Sequence, residues 1–119
     1  MNNNNLDTEL IVIFANTVMA YANHFDGRVI ISTGTMSSVT IHGKSLPFYF
    51  CNKERAYWDA AEEHLTNNAF VHWKSSSFFE LTTDGQLQAE LFTEQNNIDF
   101  TQDLKSTLKE LTGGVLFGD

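Results

Sequence analysis

The stretch from Phe78 to Leu111 constrains the chain more than any other. Phe79-Glu80-Leu81-Thr82-Thr83-Asp84-Gly85-Gln86-Leu87-Gln88-Ala89-Glu90-Leu91 alternates apolar and polar residues on either side of an Asp-Gly pair, the pattern of a β-hairpin. A two-residue loop at Asp84-Gly85 would set Leu81 opposite Gln88 and Thr82 opposite Leu87, mixing polar and apolar side chains on each face. A three-residue loop, Thr83-Asp84-Gly85 with Gly85 left-handed, instead pairs Leu81 with Leu87 and Phe79 with Ala89. That register leaves Glu80, Gln88 and Glu90 on a polar face. After a polar link, Asp99 followed by Gln102 reads as a helix cap. Phe100, Leu104, Leu108 and Leu111 then recur at helical spacing until Gly113-Gly114 stops the run.

The rest of the chain reads as a helix, three strands, a second helix and further strands. Asp7 caps a first helix in which Leu10, Phe14, Val18, Tyr21 and Phe25 recur every three to four residues up to Asp26-Gly27. Ile11, Ile13 and Met19 widen this stripe, and a core helix is the preferred reading. Arg28 to Ser32 holds the β-branched run Val29-Ile30-Ile31 and suits a strand. A glycine-first loop at Gly43-Lys44 would pair Ile41 with Leu46 and Val39 with Phe48. Pro47 cannot donate a ladder hydrogen bond, so it puts the third strand at an edge or turns its nitrogen away from the neighbouring strand. Asn52 caps a helix over residues 53–66 with Tyr57, Ala61, His64 and Leu65 on one face, while Glu62 and Glu63 point elsewhere. Asn67-Asn68 ends it, and residues 69–73 alternate as a strand. The expectation is a single α+β domain over residues 1–119, in the order α-βββ-α-ββ(β)-α. Residues 1–5 form a flexible Asn-rich start, 113–119 a tail, and the helices pack against an antiparallel sheet.

With 42% hydrophobic and 18% charged residues, the 119-residue chain has the material for one core and not the composition of a disordered segment. Its charge of −8 is uneven: residues 1–58 hold four acids and four bases, residues 59–119 eleven acids and three bases. Phosphate contacts need clustered Lys and Arg, so this asymmetry argues against nucleic acid as a partner. A single cysteine, Cys51, excludes an internal disulfide and a multi-cysteine zinc site. With no positively charged leader and no apolar run of spanning length, the sequence reads as that of a soluble, cytoplasmic protein that does not enter a membrane.

The order Asn67-Asn68-Ala69-Phe70, then residues 78–87, then Ile98-Asp99-Phe100 before a leucine-spaced helix resembles the second half of bacterial type III secretion chaperones and the related YbjN-like domains. The first half resembles them as a helix followed by three strands. The resemblance implies a small dimeric α+β fold without enzymatic activity. It would bind an extended segment of a client or effector protein by strand addition or by apolar side chains entering surface pockets. The surfaces expected to meet the partner are the first helix and the strands over residues 28–50, through Phe14, Val18, Tyr21, Ile30, Ile41, Phe48 and Phe50.

Candidate chemistry is sparse. His24, His42, His64 and His72 fall in no metal-binding spacing, and a Cys51–His64 pair would need contacts in space that spacing does not supply. Asp59, Glu62 and Glu63 suggest a divalent cation site, general acid–base chemistry or an acidic contact surface, with the solvated helix face as the preferred reading. No catalytic, metal or cofactor residues are therefore assigned. The alternative to a chaperone-like module is an acidic inhibitor or immunity-type protein that caps the basic site of a toxin or nucleic-acid enzyme. The tail residues Val115, Leu116 and Phe117 would fold back on the core or join a neighbour.

Overall fold

A computed structural model describes residues 6–49 and 52–118. The Asn-rich start, Phe50, Cys51 and Asp119 lie outside the described residues. Helix α1 spans Thr8–His24, capped by Asp7, whose side chain accepts the Glu9 backbone N–H at 2.9 Å. Every residue from Phe14 to Ala22 is buried, so α1 is the central rod of the helical layer and not an amphipathic surface helix. Its buried polar side chains are satisfied. Thr17 donates to the Ile13 carbonyl at 2.7 Å, and Asn16 donates to Val12 at 2.9 Å while accepting from Gln88 at 3.0 Å. The helix stops where Gly27, at φ +78°, returns its N–H to the Ala22 carbonyl.

Strands β1 (Arg28–Ser32), β2 (Met36–Ile41), β3 (Lys44–Tyr49), β4 (Val71–Ser75) and β5 (Phe78–Leu81) form one antiparallel sheet in the order β3-β2-β1-β5-β4. The β2–β3 turn is His42-Gly43, both with positive φ, the requirement of a type I′ hairpin turn. The loop thus begins one residue earlier than the glycine-first expectation. Ile41 pairs with Lys44 and Val39 with Leu46. Every partner on β3 shifts by two residues, which preserves the faces. β3 is an edge strand, as Pro47 requires.

The expected hairpin at 79–91 does not form. β5 ends at Leu81, and residues Thr83–Asn96 are helix α3. Its antiparallel partner is β4, through a turn around Ser75 to Ser77, so Phe79 faces Trp73 and Leu81 faces Val71. Thr82 is the helix cap: its hydroxyl accepts the Gly85 N–H at 3.1 Å and donates to the Ala69 carbonyl at 2.7 Å. Gly85 is not a left-handed bulge residue. It lies where the first turn of α3 meets β4's lead-in, and a Cβ there would overlap the Phe70 carbonyl oxygen. α3 buries Gly85, Ala89 and Phe92, a helical stripe of mostly small residues. Leu87 and Leu91 consequently lie on the opposite, exposed side.

Helix α2 spans Lys53–Asn67, with Tyr57, Trp58, Ala61 and Leu65 in the core. The last helix is shorter than expected: α4 covers Leu104–Leu111 and is capped by Asp103, which accepts from Ser106 at 2.7 Å. Asp99 closes its own small turn instead, accepting from the backbone and hydroxyl of Thr101. The tail folds back. Leu116 and Phe117 are buried, and the Phe117 N–H donates to the buried Glu54 carboxylate at 3.0 Å. One sheet face supplies Val29, Ile31, Val39, Ile41, Leu46, Phe48, Phe79 and Leu81 to the core, and the helices cover it. Full burial of such side chains contributes about 1.5–3 kcal/mol each.

Candidate protein-binding face

The opposite face of the sheet is uncovered by any described element. Strand alternation aims Arg28, Ile30 and Ser32 of β1 at it, with Met36, Ser38 and Thr40 of β2 and Ser45, Pro47 and Tyr49 of β3. Phe78 and Glu80 of β5 join them. A sheet face turned to water ordinarily carries polar side chains. Here Ile30 is 52% exposed, Met36 47% and Tyr49 53%, and Phe78 is half-buried. Register assembles them into a surface: Ile30 lies between Thr40 and Phe78, Met36 opposite Tyr49, and Pro47 opposite Ser38. Thr40 and Ser45 share a hydrogen bond across the strands at 2.7 Å. At one end Glu80 takes Arg28 at 3.3 Å and Lys74 at 3.7 Å.

Both sheet edges beside this face are blunted. The two-residue turn makes Ile41–Lys44, Val39–Leu46 and Ser37–Phe48 the hydrogen-bonded pairs. Pro47 therefore turns its donor-less nitrogen to the open side of β3, where an incoming strand would find no N–H. On the other edge, the β4–β5 register shifts between Trp73 and Ser75, placing Lys74 in a bulge.

The second exposed apolar region is the outer ridge of α3, where Leu87 is 59% and Leu91 49% exposed. Asp84, Glu90 and Glu94 flank it on the same helix. Beside it, between α1 and α3, opens a cleft of about 330 Å³ with His24 and Phe100 on one side and Glu90 and Glu94 on the other.

Of the seven residues expected to meet a partner, Phe14, Val18, Tyr21, Ile41 and Phe48 are buried in the chain's own core. The stripe on α1 is consumed by packing, so α1 offers no docking surface. Tyr21 instead fastens α1 to the segment before α4, donating to the Gln102 carbonyl at 2.9 Å and sharing a 2.6 Å bond with Thr107. Burial raises its pKa; the Thr107 bond opposes this, and Asp103 and Asp99 raise it further. Of the six that are described, Ile30 alone is exposed; Phe50 lies outside the described residues. Met36, Tyr49 and Phe78, which share the open face of Ile30, are not among the seven. Phe78 had a signal: two consecutive phenylalanines in a strand cannot both face one core.

The acidic trio divides. Asp59 is exposed and pairs with Arg55 at 3.1 Å, and Glu63 is exposed. Glu62 is not free in solvent: it accepts the buried Trp58 indole N–H at 2.8 Å. Burial raises its pKa, opposed by the Trp58 bond, raised further by Asp59 and lowered by Arg55. The histidines are scattered. His24 stacks on Phe100, His42 stacks on Phe25, His64 bonds Asn68, and His72 is exposed. Among the described residues no group of three or more His, Cys, Asp or Glu side chains is placed to hold a metal ion, and no helix is long and apolar enough to cross a membrane. Cys51 lies outside the described residues, so the Cys51–His64 pairing weighed above is not described. Comparison of the chain with family models, with curated proteins and with solved structures found no match.

Proposed function

We propose that this protein is a non-enzymatic, chaperone-like binding module that acts as a homodimer on an extended segment of a client protein. The observation that supports it is the uncovered sheet face, where Ile30, Met36, Tyr49 and Phe78 are withheld from a core already filled by other side chains. Pro47 and the Lys74 bulge make strand addition the poorer mode, so contact is through side chains on the face. Capture of partners from the native host, read by mass spectrometry, tests this. The wild-type chain is expected to retain a defined protein that folded Ile30→Asp and Met36→Lys variants lose. Retention of the same proteins by both variants would remove the face from the function.

A second reading, an acidic inhibitor, draws on the exposed carboxylates of Asp59 and Glu63 on α2. Glu62 is committed to Trp58 and contributes little to such a surface.

A further inference from the structure

We infer that the outer side of α3 is a docking surface for a basic amphipathic segment of another protein, one arginine of which enters the cleft between α1 and α3. This surface is separate from the sheet face, and this partner from the client. The ridge follows from helical spacing. Leu87 and Leu91 stand one turn apart, with Cβ atoms about 6 Å from each other, and both are turned to water. A rotation of about 100° per residue puts Glu90 and Glu94 beside them on the flank that faces α1, and Asp84 on the other flank. Carboxylates at the i,i+4 spacing of Glu90 and Glu94 repel each other. Among the described residues neither forms an ion pair, and α3 itself contains no Lys or Arg.

The cleft is an independent observation that points to the same occupant. Across it from Glu90 and Glu94 stand His24 and Phe100, whose rings stack at 4.1 Å within 8° of parallel. A guanidinium answers both walls, because its plane stacks on aromatic rings and its N–H fork pairs with carboxylates. The volume of about 330 Å³ is at the low end of ligand pockets and suits one long side chain. Glu90 and Glu94 belong to cleft and ridge alike, so an arginine held there brings its apolar neighbours onto Leu87 and Leu91. Charge sets the other occupants aside. A second copy would bring these acids against themselves, and a nucleic acid or anionic membrane would bring phosphates to a chain of net charge −8. A wholly apolar segment would desolvate the two carboxylates without pairing them. A basic amphipathic helix of about three turns matches the roughly 20 Å length of α3.

Fluorescence anisotropy tests this, with the full chain titrated into a labelled synthetic peptide of about twelve residues that carries Leu on one helical face and Arg on the other. Binding is expected at about 100 μM or tighter, weakening as salt rises. Glu90→Gln with Glu94→Gln should weaken it about tenfold, and Leu87→Ser with Leu91→Ser by a similar factor. Asp59→Asn with Glu63→Gln makes the same change of charge on α2 and should alter binding less than about twofold. Phe100→Leu should reduce the preference for the Arg peptide over its Lys counterpart. Circular dichroism identifies any variant that does not fold, and the exposed Glu90 and Glu94 pair carries the test if Phe100→Leu fails. No binding up to about 1 mM overturns the inference, as does equal loss from the α2 and α3 pairs or equal binding of a peptide with Glu in place of Arg. Capture of the client through Ile30 should survive Glu90→Gln with Glu94→Gln. Its loss there would merge the two partners and overturn the second surface.

Discussion

The sheet face and the α3 ridge expose similar side chains for different reasons. On the sheet, Ile30 and Phe78 point outward because their neighbours Val29, Ile31 and Phe79 take the inward positions of a two-residue period. On α3, Leu87 and Leu91 point outward because Gly85, seated against the Phe70 carbonyl, and the buried Ala89 and Phe92 take the inward side of the helix. The first surface rests on five hydrogen-bonded strands, with no excess of acid around it. The second rests on one helix seated on small residues, with acids on either side. Exposure of apolar area alone therefore does not mark a contact surface. The charge around it and the rigidity beneath it decide what can dock there.

The largest effect expected is at the seat of α3. Gly85→Ala forces a Cβ against the Phe70 carbonyl and should cost about 3 kcal/mol, displacing the ridge. Urea unfolding measures the loss. If the two surfaces are independent, client capture by the folded fraction stays as in wild type.

Next is Glu62→Ala, which leaves the buried Trp58 N–H without its acceptor and should cost about 2 kcal/mol by the same measurement. Glu62→Gln keeps an acceptor and should cost much less. Its pH behaviour follows from the direction of the shift. The folded-state pKa of Glu62 is raised, so its contribution is complete below the ordinary carboxylate value and declines as pH rises through the folded value. Melting temperature against pH should show that decline in wild type and not in Glu62→Gln.

A smaller change, about 1 kcal/mol, is expected from Asp103→Ala, which removes the cap of α4. Here the backbone N–H of Ser106 is the leading cause that lowers the Asp103 pKa. The stabilisation is present above the ordinary carboxylate value and lost as pH falls through the lowered one. The difference between variant and wild type should therefore vanish in acid.

The smallest effect sharpens the comparison most directly. Asp59→Lys with Glu63→Lys should change stability by about 0.5 kcal/mol or less. It should leave client capture unaltered, with little dependence on salt. Capture lost through this pair, with an on-rate falling steeply as salt rises, would move the function from the sheet face to the acidic helices.

Most of the fold was legible where pattern and packing agree. The α1 stripe, the β-branched β1, the α2 face from Tyr57 to Leu65 and the edge position of Pro47 all follow from periodicity or from the missing N–H. Residues 82–91 were not legible, because Leu87, Ala89 and Leu91 alternate like a strand while the buried helical stripe is Gly85, Ala89 and Phe92. Small residues carry little weight in a hydrophobic pattern, yet they permit the closest packing. Thr82 ahead of Gly85 was the available sign of a helix start. Of the exposed apolar residues on the open sheet face, only Ile30 was legible. A stripe such as Phe14, Val18 and Tyr21 cannot reveal from spacing alone whether the same chain will cover it.

Pro47 has a consequence for concentrated solutions. A sheet that grows by adding strands at its rim offers each newcomer a fresh rim and can extend into a filament without limit. With a proline nitrogen at the middle of one rim and a bulge on the other, this sheet is a poor seed for such growth. Its exposed apolar side chains are satisfied by contact across the face, which leaves no fresh rim, so crowding should yield finite particles rather than fibres.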